Sequence, residues 1–258
     1  MPTNVDNGRF VWYEHLTKDP AAAIAFYTDV VGWKTQSFGE GGHYFMWVAD
    51  QGPLGGVMKL PEESVKAGVP PHWTAHVAVE NVDATASLVK KLGGKLRTGP
   101  EDVPGVGRFA VIEDPQGASL SIFTPSTPMA AHDSSKKGEF CWHELMSSDG
   151  NAAFDFYSQL FGWKVAQDMD MGATGNYRVF EVGGKQLGGM MTIPKATPMP
   201  PMWIFYVETP DIDAAISRAT KKNAKVTNGP MEVPGGGRIA QMMDPQGAVF
   251  ALHQSPPK

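Results

Sequence analysis

Along Phe10-Val-Trp12-Tyr-Glu14-His-Leu16 the residues alternate with period two, which predicts a β-strand with two distinct faces. Phe10, Trp12, Glu14 and Leu16 share one face; Val11, Tyr13 and His15 share the other. A carboxylate inside an aromatic stripe is the anomaly, because a buried Glu14 needs a partner, a raised pKa or a metal. Asp19-Pro20 then reads as the cap and first position of a helix over Ala21–Val31, stopped by Gly32. Trp33–Phe38, Tyr44–Ala49 and Leu54–Leu60 read as strands between Gly-rich turns, giving one βαβββ module. After a Pro/Gly/Glu linker at Pro61–Pro71, a second module is predicted. It has a strand over His72–Glu80, a helix from Asp83 to Gly93-Gly94, and strands Lys95–Thr98, Arg108–Glu113 and Ala118–Phe123. Residues 1–8 are expected to form a loose start.

The pattern then repeats. Trp12, Glu14, Asp19 and Phe26-Tyr27 match Trp142, Glu144, Asp149 and Phe156-Tyr157, all at an offset of 130. At the same offset Trp73 matches Trp203, Val103-Pro-Gly105 matches Val233-Pro-Gly235, and Asp114-Pro-Gln-Gly-Ala118 matches Asp244-Pro-Gln-Gly-Ala248. Between these blocks Leu54-Gly-Gly56 pairs with Leu187-Gly-Gly189, so a hairpin near Gly172–Asn176 has gained three residues and a later linker has lost three. Length changes confined to turns are what a duplicated fold tolerates. The chain is therefore read as α+β, with four βαβββ modules: residues 1–125, a Pro/Ser/Lys-rich linker at 126–138, and residues 139–258.

The bulk numbers narrow the function classes. The 258 residues carry a net charge of −5 and 42% hydrophobic residues, with no basic run longer than Lys-Lys. This argues against nucleic acid and against an anionic membrane as partners. Cys141 is the single cysteine, so no disulfide within the chain and no Cys-based zinc site is expected, and a reducing cytoplasmic setting fits. Neither a leader peptide nor a membrane-spanning run is visible.

Phe-Tyr on the first helix, Leu-Gly-Gly before a fourth strand and Asp-Pro-Gln-Gly before a last strand, repeated over about residues 9–253, resemble the vicinal oxygen chelate superfamily. That group holds glyoxalase I, extradiol dioxygenases and bleomycin-resistance proteins. The Trp-x-Glu strand in a tandem layout is similar to its antigen or putative-hydroxylase branch. The resemblance implies that modules pair into two tandem cup-like open-barrel domains with the ligand inside each cup. It places metal-ligand positions on Trp12, Thr74, Ser121 and residues around Met58, and on Trp142, Ile204, Ala251 and residues around Met191. None of these is His or Glu. No cofactor is therefore expected, a divalent metal at a displaced set including Glu14 and His76 being the alternative.

Strand parity supplies the expected cup linings. The first contains Trp12, Glu14, Met58, Thr74, His76, Ser121 and Phe123; the second contains Trp142, Glu144, Met191, Ile204, Tyr206, Ala251 and His253. Trp73, Val77, Leu120 and Ile122 should pack against helices instead. Glu14 and His76 are the candidates for proton transfer, against a structural reading as a buried pair. Trp12, Met58, Phe123 and their counterparts suit a flat apolar ligand, or simply fill the cup. Arg108 and Arg238 either hold an anionic group or anchor their loops to Asp114 and Asp244. His15, His43, His72, His132 and His143 are expected mostly at the surface, and Cys141 against a helix. The function expected is binding, conversion or sequestration of an apolar or aromatic metabolite, the alternatives being a metal-dependent lyase or dioxygenase and a drug-sequestering resistance protein. Only the first cup, with His76, is expected to work. A small-molecule ligand is the expected partner, and the chain is read as a monomer or homodimer.

Overall fold

The computed structural model describes residues 7–39, 41–172 and 175–256. The first module contains β1 (Phe10–Thr17), α1 (Pro20–Val30), β2 (Lys34–Phe38), β3 (Tyr44–Ala49) and β4 (Gly52–Lys59). A short helix, α2 (Glu62–Lys66), follows. The second module is β5 (His72–Ala78), α3 (Val82–Lys91), β6 (Lys95–Val103), β7 (Gly107–Glu113) and β8 (Ser119–Pro125). The duplicate continues as β9 (Phe140–Ser147), α4 (Gly150–Phe161), β10 (Lys164–Asp170), β11 (Asn176–Val182) and β12 (Lys185–Thr192). It closes with β13 (Met202–Glu208), α5 (Ile212–Lys221), β14 (Lys225–Glu232), β15 (Arg238–Met243) and β16 (Val249–Gln254). The strands form two open eight-stranded mixed sheets, ordered β2-β3-β4-β1-β5-β8-β7-β6 and β10-β11-β12-β9-β13-β16-β15-β14. The α+β expectation of four βαβββ modules in two open sheets holds.

Side-chain caps set the helix starts. Asp19 accepts from the Ala22 amide, Asp149 from Asn151 and Ala152, and Asp211 from Ala214. Asn81, rather than Asp83, caps α3 by accepting from Ala84, so that helix begins earlier than expected. The expected linker at Pro61–Pro71 contains α2, whose first-turn acids Glu62 and Glu63 and last-turn Lys66 suit the helix dipole. The expected loose start is only partly described: residues 1–6 lie outside the described residues, while the Gly8 carbonyl accepts from Trp163 Nε1 at 2.7 Å. Within the hairpin near Gly172–Asn176, Ala173 and Thr174 also lie outside them.

Two compact units interleave in sequence. One comprises residues 1–11, 75–131 and 142–203, the other residues 12–74, 132–141 and 204–258. Within the second of these, Trp33, Trp47 and Trp73 pack with Tyr27 and Phe140, all nearly solvent-free. The Tyr27 hydroxyl accepts from Trp73 Nε1 at 2.9 Å and donates to Asp244 Oδ2 at 3.1 Å. Asp244 Oδ1 meanwhile accepts from the amides of Gln246 and Ala248. The other unit repeats this clasp with Trp203, Tyr157 and Asp114, the last collecting amides from Gln116, Gly117 and Ala118. The Phe-Tyr and Asp-Pro-Gln-Gly motifs are thus two halves of one buried hydrogen-bonded lock. Trp73, Val77, Leu120 and Ile122 are buried, and Trp73 meets Tyr27 of α1.

Two histidines expected at the surface are instead core residues. His15 is 0% exposed and stacks on Trp73 at 4.7 Å; His143 is 5% exposed and stacks on Phe10 at 3.7 Å. Period two places both opposite the Trp/Glu face, and a neutral imidazole packs there as a flat ring.

Candidate functional site

The parallel pairing of β1 with β4 sets Glu14 opposite Gly56, and the antiparallel pairing of β3 with β4 sets Tyr44 opposite Met58. Tyr44 thereby reaches Glu14. Its hydroxyl donates to Glu14 Oε1 at 2.5 Å, and Trp12 Nε1 donates to the same oxygen and to the Tyr44 hydroxyl, each at 2.9 Å. The Leu-Gly-Gly motif is what makes room. A Cβ on Gly55 would collide with the Tyr13 carbonyl across the parallel pair, and one on Gly56 with the Tyr44 ring and hydroxyl.

Glu14 is a carboxyl with two unlike oxygens. Oε1 takes two donors; Oε2 is shielded from water and has no partner. Burial pushes Glu14 up from the ordinary carboxylate range, and the Tyr44 and Trp12 donors only partly oppose this. Burial and then the neighbouring Glu14 push the Tyr44 phenol up in turn. Trp12, Glu14, Tyr44 and Met58 are half-buried.

The second copy is built alike. Glu144 sits opposite Gly189 and Tyr177 opposite Met191. Trp142 Nε1 donates to the Tyr177 hydroxyl at 2.8 Å, and burial together with Glu144 raises the Tyr177 phenol. A Cβ on Gly189 would strike the Tyr177 ring. Both tyrosines were missed from sequence, although Tyr44 and Tyr177 share the offset of 133 seen for Leu-Gly-Gly.

The remaining candidates are dispersed. Thr74 Oγ1 is buried without a partner. His76 lies opposite Ser121 in the β5–β8 pairing, with Phe109 and Phe123 rings at 6.2 and 5.8 Å, and burial lowers it to about 4. Tyr206 is buried, with its hydroxyl accepting from Gln241 Nε2 at 2.7 Å. Arg108 donates to both carboxylate oxygens of Asp83 at 2.8 and 2.9 Å and meets Asp102 at 3.0 Å. Its counterpart Arg238 does the same with Asp213. These arginines anchor to helix and strand acids rather than to Asp114 and Asp244, because those aspartates are taken up by their own turns.

The family-derived metal positions do not fit a metal. Trp12 offers an indole donor already engaged with Glu14 and Tyr44, and Thr74, Ser121 and Met58 offer only hydroxyls and a thioether. Among the described residues one other group brings metal-type ligands together. Cys141, Glu208 and His253 place one ligand atom each within 4.8 Å of one another. Cys141 thus stands beside polar groups, and a lone cysteine can join a mixed ligand set.

The model of the Glyoxalase/Bleomycin resistance protein/Dioxygenase superfamily matches residues 9–122 and again 142–252. The Mycobacterium bovis protein named "Putative glyoxylase CFP32" is 30% identical over 96% of this chain and 95% of its own length. The Streptomyces peucetius "Anthracycline biosynthesis protein DnrV" is 28% identical over 95% and 92%. Among solved structures, the Mn(II)-bound glyoxalase from Novosphingobium aromaticivorans superposes with a TM-score of 0.68 at 18% identity, over 98% of this chain and 84% of that one. An extradiol ring-cleaving dioxygenase from B. fuscum also gives 0.68, at 15% identity over 99% and 74%. At such identities the structural likeness speaks for the fold. The double family match over most of the chain shows that this protein belongs to the glyoxalase/bleomycin resistance/dioxygenase superfamily.

Proposed function

We propose that this chain binds a planar aromatic metabolite against Trp12 and Met58 and uses Glu14 to hold or transfer a proton on one of its oxygens. The observation that carries this reading is the asymmetry of the Glu14 carboxyl. Two donors fix Oε1, while Oε2 is desolvated and unpartnered, and burial favours the neutral acid. A proton on such a group resides on Oε2, where it can be donated to a ligand carbonyl or hydroxyl and later recovered. Trp12 and Tyr44 orient the carboxyl, and the half-buried indole and thioether supply a flat apolar platform.

Support for the ligand class comes from two directions. The surface offered by Trp12, Tyr44 and Met58 is mainly aromatic and apolar with the Glu14 carboxyl beside it, a composition suited to an apolar ligand. A relative matched over 92% of its length is named for anthracycline biosynthesis, and anthracyclines carry a flat hydroxylated anthraquinone core. We read residues 1–125 and 139–258 as the duplicated domains. Glu144 repeats the carboxyl, but Tyr206 stands where the first half has His76.

The test is a titration of intrinsic tryptophan fluorescence with hydroxylated anthraquinones, on wild type and on Trp12→Ala and Glu14→Gln. Trp12→Ala should abolish tight binding. Glu14→Gln should keep the stacked complex and lose any conversion of the ligand. Binding with no conversion by wild type would make the protein a sequestering one. Binding unaffected by either variant would overturn the reading.

A further inference from the structure

We infer that Cys141, Glu208 and His253 form a site for a zinc-class divalent metal ion, present in the second half of the chain only and separate from the Glu14 carboxyl. The three residues come from three strands of one compact unit. Cys141 is the second residue of β9, and its Sγ lies 3.4 Å from the Tyr206 carbonyl. Glu208 ends β13, and its backbone pairs with Glu139 and Gly138 ahead of β9. His253 lies directly opposite Glu208 in the parallel β13–β16 pairing. Strand pairing alone therefore converges a thiol, a carboxyl and an imidazole.

The fold does not require these residue types. The duplication offers an internal control, because the equivalent positions in the first half are Val11, Ala78 and Phe123. All three are apolar, and Phe123 is packed away at 7% exposure. The same glycine makes room for either side chain. A Cβ on Gly107 would strike the Phe123 ring, and one on Gly237 would lie 2.7 Å from His253 Nε2. Where the first half has an apolar trio, the second half has three metal-type ligands.

The ligand set selects the ion. Thiolate, imidazole and carboxylate together suit zinc, cobalt or iron rather than magnesium or calcium, which prefer oxygen alone. Three protein ligands leave a coordination position for water or substrate. The site is reachable, since the His253 side chain is 22% exposed and Cys141 is half-buried. In the metal-free arrangement Glu208 Oε2 meets His253 Nδ1 at 2.5 Å, and Glu208 Oε1 accepts from the Ser255 amide at 2.9 Å. An entering ion takes the place of the thiol proton, which leaves to solvent, and the carboxylate turns from its histidine to the metal. The positions implied by resemblance, Trp142, Ile204 and Ala251, contribute nothing to this set.

The experiment is titration of chelator-stripped, full-length protein with zinc and with cobalt(II). One equivalent of metal should bind per chain, and cobalt should add a near-ultraviolet thiolate-to-metal absorption band. Cys141→Val and His253→Phe install the first-half residues, which this fold already accommodates. Cys141→Val should abolish the band, and each variant should weaken binding by at least about tenfold. Glu14→Gln should leave the cobalt spectrum unchanged, which separates this site from the proposed aromatic one. Absence of stoichiometric binding, or equal binding by Cys141→Val, would overturn the inference.

Discussion

Replacing His15 by Leu should make the protein more resistant to mild acid. His15 is fully buried, stacked on Trp73 and edge-on to Tyr27 at 5.1 Å, and neither ring nitrogen has a hydrogen bond. Burial, and then the charge of His72, lower it to about 3. Asp244 Oδ2 stands 3.5 Å from Nε2 but already accepts from the Tyr27 hydroxyl. Because the folded pKa lies below the ordinary value of about 6.5, the native state holds the neutral ring. Its stability is full above that value and is lost as pH falls toward the folded pKa. At about pH 5 the unfolded ring is nearly all protonated and the folded ring is not, which costs about 2 kcal/mol. That figure barely changes whether the folded value is 3 or a unit higher, since pH 5 lies above both.

The duplicated sequence supplies the replacement. Leu145 occupies the equivalent position and is likewise 0% exposed. Urea unfolding followed by tryptophan fluorescence and circular dichroism, at about pH 7.5 and pH 5, measures the effect. Wild type should lose about 2 kcal/mol more than His15→Leu between these conditions. At the higher pH the variant should be at least as stable, because two unpartnered buried nitrogens disappear. Parallel losses, within about 0.5 kcal/mol, would refute the argument that His15 is held neutral by burial.

Other expectations follow from the same packing. Gly56→Ala should displace Tyr44, destabilise the chain by about 1–3 kcal/mol in thermal or urea melts, and weaken aromatic-ligand binding. Tyr27→Phe should cost about 1–3 kcal/mol by stranding Asp244 Oδ2 and the Trp73 indole, read as a lower urea midpoint at unchanged slope. Glu14 has a raised folded pKa, so its burial weighs against the fold as pH rises through that value. The stability difference between Glu14→Gln and wild type should therefore grow in favour of the variant from acid to neutral pH, as parallel urea titrations would show.

The architecture was legible because the sequence repeats itself, and each recurring motif has a physical job. Asp-Pro-Gln-Gly and Phe-Tyr recur because they lock onto one another, and Leu-Gly-Gly because strand approach and the Tyr44 ring leave no room for a Cβ. The Trp12–Glu14 pair was visible as a carboxylate in an aromatic stripe. Tyr44 was not, because nothing in the alternation of β3 marks which residue crosses over the glycine of β4. Cys141, Glu208 and His253 were hidden for a different reason. Sequence separates them widely, and only the pairing of three strands brings them together. His15 and His143 were misjudged because histidine is polar by composition, yet packs as a flat ring when neutral.

The most direct test of the Glu14 assignment is a crystal structure of the protein with the hydroxylated anthraquinone that quenches its fluorescence most strongly. The expected density lies flat against Trp12, with a ligand oxygen within hydrogen-bond reach of Glu14 Oε2. A ligand seated elsewhere, with Glu14 Oε2 still unpartnered, would contradict it.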